Sequence, residues 1–246
     1  MSLEFSTDRG PSALISIIVP AYNEARTIAA VIARLHEIDL PAPREIIVVN
    51  DGSKDGTGEV LDGLAAAYPG LVVVHVEPNR GKGHALRVGF ARARGTVLAI
   101  QDADLELDPA QLAGLVEPIL RGETAVVYGS RFLAGRPDAP AVTIAANRAL
   151  TWITNVLYGA SLTDMETCYK IMRADVVRGL TLSANRFDIE PEITARLLLD
   201  GRRILERPAR FTPRSRAAGK KIGWRDGIIA ILVLVRLRFS RRTHRP

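Results

Sequence analysis

Five short runs rich in Ile and Val, at 14–19, 45–50, 72–76, 97–101 and 125–128, alternate with stretches at 25–38, 56–68, 83–93 and 109–121 whose apolar residues recur every three or four positions. Strands joined through helices pair in parallel, because a parallel connection needs a crossover. The pattern predicts an α/β fold: a mostly parallel central sheet with helices on both faces. In such sheets ligands bind beyond the carboxyl ends of the strands. The residues after each run therefore carry the functional expectation. They are Pro20-Ala21-Tyr22-Asn23-Glu24, Asp51-Gly52-Ser53, Asp102-Ala103-Asp104 and Gly129-Ser130-Arg131.

The chain of 246 residues is long enough for one sizeable core, and its single Cys excludes an internal disulfide framework and a Cys-rich metal site. Its net charge of +6 is unevenly spread. Residues 1–201 hold 19 basic and 25 acidic side chains, whereas residues 202–246 hold 14 and 2. An acidic body with 5% aromatic residues argues against a nucleic-acid-binding module, which relies on a basic surface and stacking platforms. The polar start of the chain lacks a signal-peptide pattern, so the body is expected in the cytoplasm.

Asp102 and Asp104 directly follow an apolar run. Neighbouring carboxylates repel, and their oxygens select a hard cation such as Mg²⁺ or Mn²⁺ that also bridges to substrate phosphate. Glu106 is a third candidate ligand; the alternative is an acidic turn before the helix that opens at Asp108-Pro109. Asn79-Arg80-Gly81-Lys82-Gly83 precedes a helix and suits an anion, although it lacks the spacing of a phosphate loop. A sugar nucleotidyltransferase is disfavoured because no Gly-rich loop follows the first strand. His36, His75 and His84 have no partner at ligand spacing and read as structural.

These segments, in this order, resemble the family 2 glycosyltransferases with the GT-A fold, and within them the polyprenyl-phosphate (dolichyl-phosphate) mannose and glucose synthases. Asp164-Met165-Glu166-Thr167-Cys168-Tyr169-Lys170, Phe187-Asp188-Ile189-Glu190-Pro191-Glu192 and Gly219-Lys220-Lys221 extend the likeness over residues 14–240. The resemblance implies that Pro20, Tyr22, Glu24, Val49 and Asp51 hold the base and ribose of a nucleotide sugar. It also places Lys82, Asp102, Ala103 and Asp104 at the donor, with Asp102, Asp104 and Glu106 around the metal. Related synthases often have Gln at the position of Glu106. Ser130, Arg131, Lys220 and Lys221 are implied to bind diphosphate or acceptor phosphate, with Asp102, Asp104 and Arg131 central to catalysis.

The expected reaction moves mannose or glucose from a GDP- or UDP-sugar to a polyprenyl phosphate, with inversion. A sugar hydroxyl or lipid headgroup acceptor is the alternative, and would need a general base. Asp188, Glu190 and Glu192 are candidates for it, or else acids at a helix start, where the dipole favours them. The apolar stretch 227–235 is too short to cross a bilayer and is flanked by Arg225, Arg236, Arg238, Arg241, Arg242 and Arg245. Residues 224–246 are therefore expected as a basic amphipathic helix and tail on an anionic membrane surface at its cytoplasmic face, attached to a transferase domain over 1–223. The other reading is a helix packed on the domain.

Overall fold

The computed structural model describes residues 13–213 and 224–240. The chain runs β1 (Ile15–Ala21), α1 (Ile28–Glu37), β2 (Arg44–Asp51), α2 (Thr57–Ala67), β3 (Leu71–Val76), α3 (Lys82–Arg92) and β4 (Val97–Ile100). A 3-10 turn at Pro109–Gln111 leads into α4 (Leu112–Leu120), β5 (Val126–Ser130), α5 (Ala141–Tyr158), β6 (Lys170–Arg173) and α6 (Ala174–Gly179). α7 (Ile189–Leu199), β7 (Leu205–Pro208) and α8 (Trp224–Phe239) complete it.

The strands form one sheet of seven, in the order β3-β2-β1-β4-β6-β5-β7. β1 to β4 pair in parallel, as their helical crossovers require, and β5 pairs in parallel with β7. Ile15, Ile17, Ile18 and Val19 of β1 are all fully buried, which is why this strand reads as an unbroken apolar run. α1 seals one face through Ile28, Val31, Ile32 and Leu35. α3 approaches β1 so closely that a Cβ on Gly89 would lie 2.4 Å from Ile18 Cγ2.

One strand departs from the parallel expectation. β6 runs antiparallel between β4 and β5, with Lys170 opposite Tyr128, and Ile171 opposite both Ala99 and Val127. Its four residues are too few, and too mixed in character, for periodicity to reveal. The reversal brings the start of β6 to the sheet edge where β1, β2, β4 and β5 end.

α8 is packed on the body. Ala230 and Leu234 join Leu150, Met165 and Ala195 in a second, smaller core. The Tyr158 hydroxyl donates to Leu234 O at 2.7 Å, and Arg238 Nε donates to Leu157 O at 2.7 Å. Among the described residues no helix is long and apolar enough to cross a membrane.

Candidate active site

The carboxyl end of the sheet carries a cluster of charges drawn from strand ends, helix starts and the loops between them. After β2, the Asp51 carboxylate accepts from Asn79 Nδ2 at 2.8 Å, Arg80 N at 3.1 Å and Gly81 N at 2.6 Å. That cradle holds the segment entering α3. Gly81, at φ 103°, and Gly83 both press on the segment before α7: a Cβ on either would lie 2.5 Å from a carbonyl oxygen, of Asn185 and Ala184 respectively. The backbone of Lys82, between them, is thereby fixed in place.

The Lys82 ammonium lies 2.8 Å from Asp102 Oδ1 and 2.9 Å from Glu190 Oε1. Glu190 Oε1 takes no hydrogen bond in this geometry, so its contact with Lys82 is an ion pair alone. Burial opposes the charge on Lys82, but Asp102 and Glu190 outweigh it and raise its pKa well above the usual lysine range. On its other side Glu190 Oε2 accepts from Lys170 Nζ at 2.5 Å. Lys170 has no exposed side-chain surface; it also donates to Met165 O and Thr167 O, and stands 4.8 Å from the Tyr128 ring centre. Two lysines thus share one buried glutamate. Glu166 completes the group: burial pushes its carboxyl up to about 7, against the attraction of Lys170, and its Oε1 has no hydrogen-bond partner. The Cys168 thiol, buried beside Asp102, is likewise raised well above its usual range by desolvation and then by that carboxylate.

The loop after β4 is held from behind, where Gln101 Nε2 donates to Leu107 O and its Oε1 accepts from the Tyr169 hydroxyl. Asp104 Oδ1 accepts from Glu106 N at 3.1 Å across Leu105, whose φ of 61° is an uncommon left-handed conformation for a branched side chain. Asp102 and Asp104 supply the hard carboxylate oxygens that Mg²⁺ or Mn²⁺ prefers. Among the described residues no group of three or more His, Cys, Asp or Glu side chains is gathered to hold an ion. With Asp102 and Asp104 as ligands, water and substrate oxygens would have to complete the shell.

After β5, Arg131 forms a two-pronged pair with Asp164, Nε to Oδ2 and Nη2 to Oδ1, both at 2.7 Å. Its guanidinium also lies over the Phe211 ring. The family resemblance implied a cation for diphosphate or acceptor phosphate, and the structure pairs Arg131 with a buried carboxylate. Next to it a cavity of about 620 Å³ is lined by Phe132, Arg136, Ile144 and Arg148, with the Arg148 guanidinium 5.4 Å from the Phe132 ring centre.

Other expected site residues fall out differently. Pro20 and Tyr22 are half-buried at the end of β1, and Ala103, between Asp102 and Asp104 in the acidic loop, is buried. The Glu24 carboxylate is buried and accepts from Thr27 Oγ1 at 2.8 Å. Val49 is 0% exposed in the middle of the sheet, so its side chain has no surface to offer a nucleotide. Ser130 is also fully buried; its Oγ bonds Thr163 Oγ1 and accepts from Phe132 N and Leu133 N, which makes it the organiser of a turn. Lys220 and Lys221 lie outside the described residues. Sequence reasoning assigned no role to Lys170 or Glu166. Both stand in the 164–170 segment, and a lysine and an acid amid apolar neighbours were the available signal.

The match to glycosyl transferase family 2 covers residues 16–180, and the chain belongs to that family. It is 32% identical over 216 residues to the undecaprenyl-phosphate mannosyltransferase of Micrococcus luteus, covering 84% of this chain and 86% of that protein. To the polyprenol monophosphomannose synthase of Mycolicibacterium smegmatis it is 30% identical over 223 residues, covering 87% and 83%. It is also 32% identical over 221 residues to glycosyltransferase AglD of Haloferax volcanii, where 85% of this chain spans only 35% of that protein. Among solved structures, glucosyl-3-phosphoglycerate synthase from Mycobacterium tuberculosis, in complex with Mn²⁺, UDP and phosphoglyceric acid, shares the fold. Its TM-score is 0.70 at 20% identity, covering 92% of this chain and 79% of that one. The α/β fold is thus the GT-A type expected.

Proposed function

We propose that the chain transfers a hexosyl group from a nucleoside diphosphate sugar to a polyprenyl phosphate, with inversion at the anomeric carbon. The observation that carries this reading is the state of the carboxylates considered as general bases. Glu190 is held between Lys82 and Lys170. Glu192 accepts from Ser183 N, Ser183 Oγ and Ala184 N, and Asp188 Oδ1 accepts from Arg186 N. All three serve to anchor the start of α7. An alcohol acceptor needs a base, whereas a phosphate monoester, with a second pKa of about 6, is already largely dianionic at neutral pH.

In the reaction an acceptor phosphate oxygen attacks the anomeric carbon as the bond to the diphosphate breaks. The bonding pair leaves with the diphosphate, and no proton has to move. Mg²⁺ or Mn²⁺ held by Asp102 and Asp104 would neutralise charge developing on that leaving group. Lys82, at the amino end of α3, adds an ammonium and helix dipole to the same task. The cavity between Arg136 and Arg148, with Phe132 and Ile144 in its wall, suits a phosphate joined to an isoprenoid chain. The names of the Micrococcus and Mycolicibacterium relatives support the acceptor class.

The exposed residues of α5 and α8 support peripheral membrane contact, which the proposal puts at the cytoplasmic face. Trp152 is 66% exposed, Leu232 62% and Phe239 72%, with Arg225, Arg236 and Arg238 on the same helix as the last two. An apolar helix face edged with arginine matches an anionic lipid surface.

The test is a screen of radiolabelled UDP- and GDP-sugars with a short polyprenyl phosphate, after EDTA treatment and again with added Mn²⁺. Lipid-linked sugar formed only with metal is the expected result. No lipid-linked product from any donor would overturn the acceptor assignment.

A further inference from the structure

Lys82 stands where it meets both the acidic loop and the carboxylate of α7, and nothing in the transfer reaction requires it to touch Asp102. The contact at 2.8 Å is nonetheless the shorter of its two ion pairs. Its backbone has no room to adjust, because the flanking Gly81 and Gly83 are pressed on Asn185 and Ala184. The side chain alone is left to move. Glu190 is tied in turn by Lys170, so the second anchor of Lys82 is itself fixed.

We propose that Lys82 is a built-in counter-ion for the metal-binding carboxylate: it holds Asp102 in the free protein, and the donor diphosphate draws it away so that the divalent cation can bind. A cation arriving alone must displace an ammonium and then sit beside it, both of which oppose binding. A diphosphate arriving with the cation offers Lys82 a new anionic partner within reach of the Glu190 anchor. Metal and nucleotide therefore assist one another through this one side chain, and linkage makes the effect reciprocal. The protein avoids holding a bare ion on Asp102 between turnovers. This inference rests on the reading of Asp102 as a metal ligand and concerns what controls that site.

The experiment measures binding rather than turnover. Mn²⁺ affinity is determined by electron paramagnetic resonance of the free ion, with UDP or GDP and without, for the unaltered protein and for Lys82→Gln, Lys82→Arg and Asp102→Asn. With no nucleotide present, Lys82→Gln should bind Mn²⁺ about fivefold or more tightly than the unaltered protein, within the usual range of a coupling between sites. Its further gain on adding nucleotide should shrink by the same factor. Lys82→Arg keeps the cation and should leave Mn²⁺ binding as weak as in the unaltered protein; circular dichroism verifies the fold of each variant. Lys82→Gln binding Mn²⁺ no more tightly, while Asp102→Asn abolishes binding, would overturn the counter-ion role and leave the metal site standing. Unchanged Mn²⁺ binding by Asp102→Asn, with nucleotide present, would overturn both. If Lys82→Gln does not fold, Lys82→Arg decides: Mn²⁺ affinity raised fivefold in that variant would count against the proposal.

Discussion

Arg131 and Asp164 meet through two parallel hydrogen bonds of 2.7 Å, and the Arg131 backbone N–H adds a third at 3.0 Å to the same carboxylate, which has no exposed surface. The pair welds the end of β5 to the segment that leads into β6.

Removing one partner leaves the other as an uncompensated, largely buried charge. Asp164→Ala is expected to lower stability by about 3–5 kcal/mol. Urea unfolding followed by circular dichroism measures it. Arg131→Lys keeps the charge but loses the planar fork, and should fall between the two proteins.

Glu166 makes stability depend on pH. Its folded-state value of about 7 lies above the ordinary 4.5, so the folded protein keeps a proton that the unfolded chain releases in that window. Stability is therefore expected to fall as pH rises from about 4.5 through 7, by up to about 3 kcal/mol. Glu166→Gln should flatten this part of the profile and unfold at higher temperature than the unaltered protein at pH ~8. Thermal melts across the window decide it.

Two glycines of similar sequence appearance should respond in opposite ways. A Cβ at Gly83 would meet Ala184 O at 2.5 Å, and backbone there has nowhere to go. Gly83→Ala should cost about 1–3 kcal/mol and raise the KM for donor by displacing Lys82. Gly63, inside α2, has nothing within 4 Å of its missing Cβ. Gly63→Ala should stabilise by about 0.5–1 kcal/mol. Differential scanning fluorimetry distinguishes the two.

Trp152→Ser together with Leu232→Ser should weaken binding to vesicles containing anionic lipid about tenfold or more, while leaving the melting temperature within a few degrees. Both side chains are more than half exposed, so little packing is lost. Flotation assays measure the first effect; equal flotation of variant and parent would move the membrane contact elsewhere.

Much of the charged cluster at the strand ends was legible from sequence because it follows local rules. β1 to β5 are apolar runs between amphipathic helices, and Asp51, Asp102 and Asp104 stand at their carboxyl ends, where the topology puts ligands. The turn that carries Lys82 into α3 was legible through its glycines. Val49 and Ser130 came from the family resemblance, and the burial of their side chains was not legible, because alternation along a strand does not say which residues near its end remain buried. The pairing of Arg131 with Asp164 was not legible, because the two stand 33 residues apart. The bridge from Lys82 through Glu190 to Lys170 was invisible, since it joins residues from two helices and a reversed strand. No periodic pattern encodes such a meeting.

The pairing of β6 sets more than the shape of the sheet. Lys170 opposes Tyr128 only because Ile171 lies level with Ala99 and Val127 in a strand of four residues. A slip of one position would carry the ammonium to the opposite face and present an isoleucine to Glu190. The alignment that closes the sheet between β4 and β5 is thus also the address of a positive charge, and core packing and site electrostatics must change together.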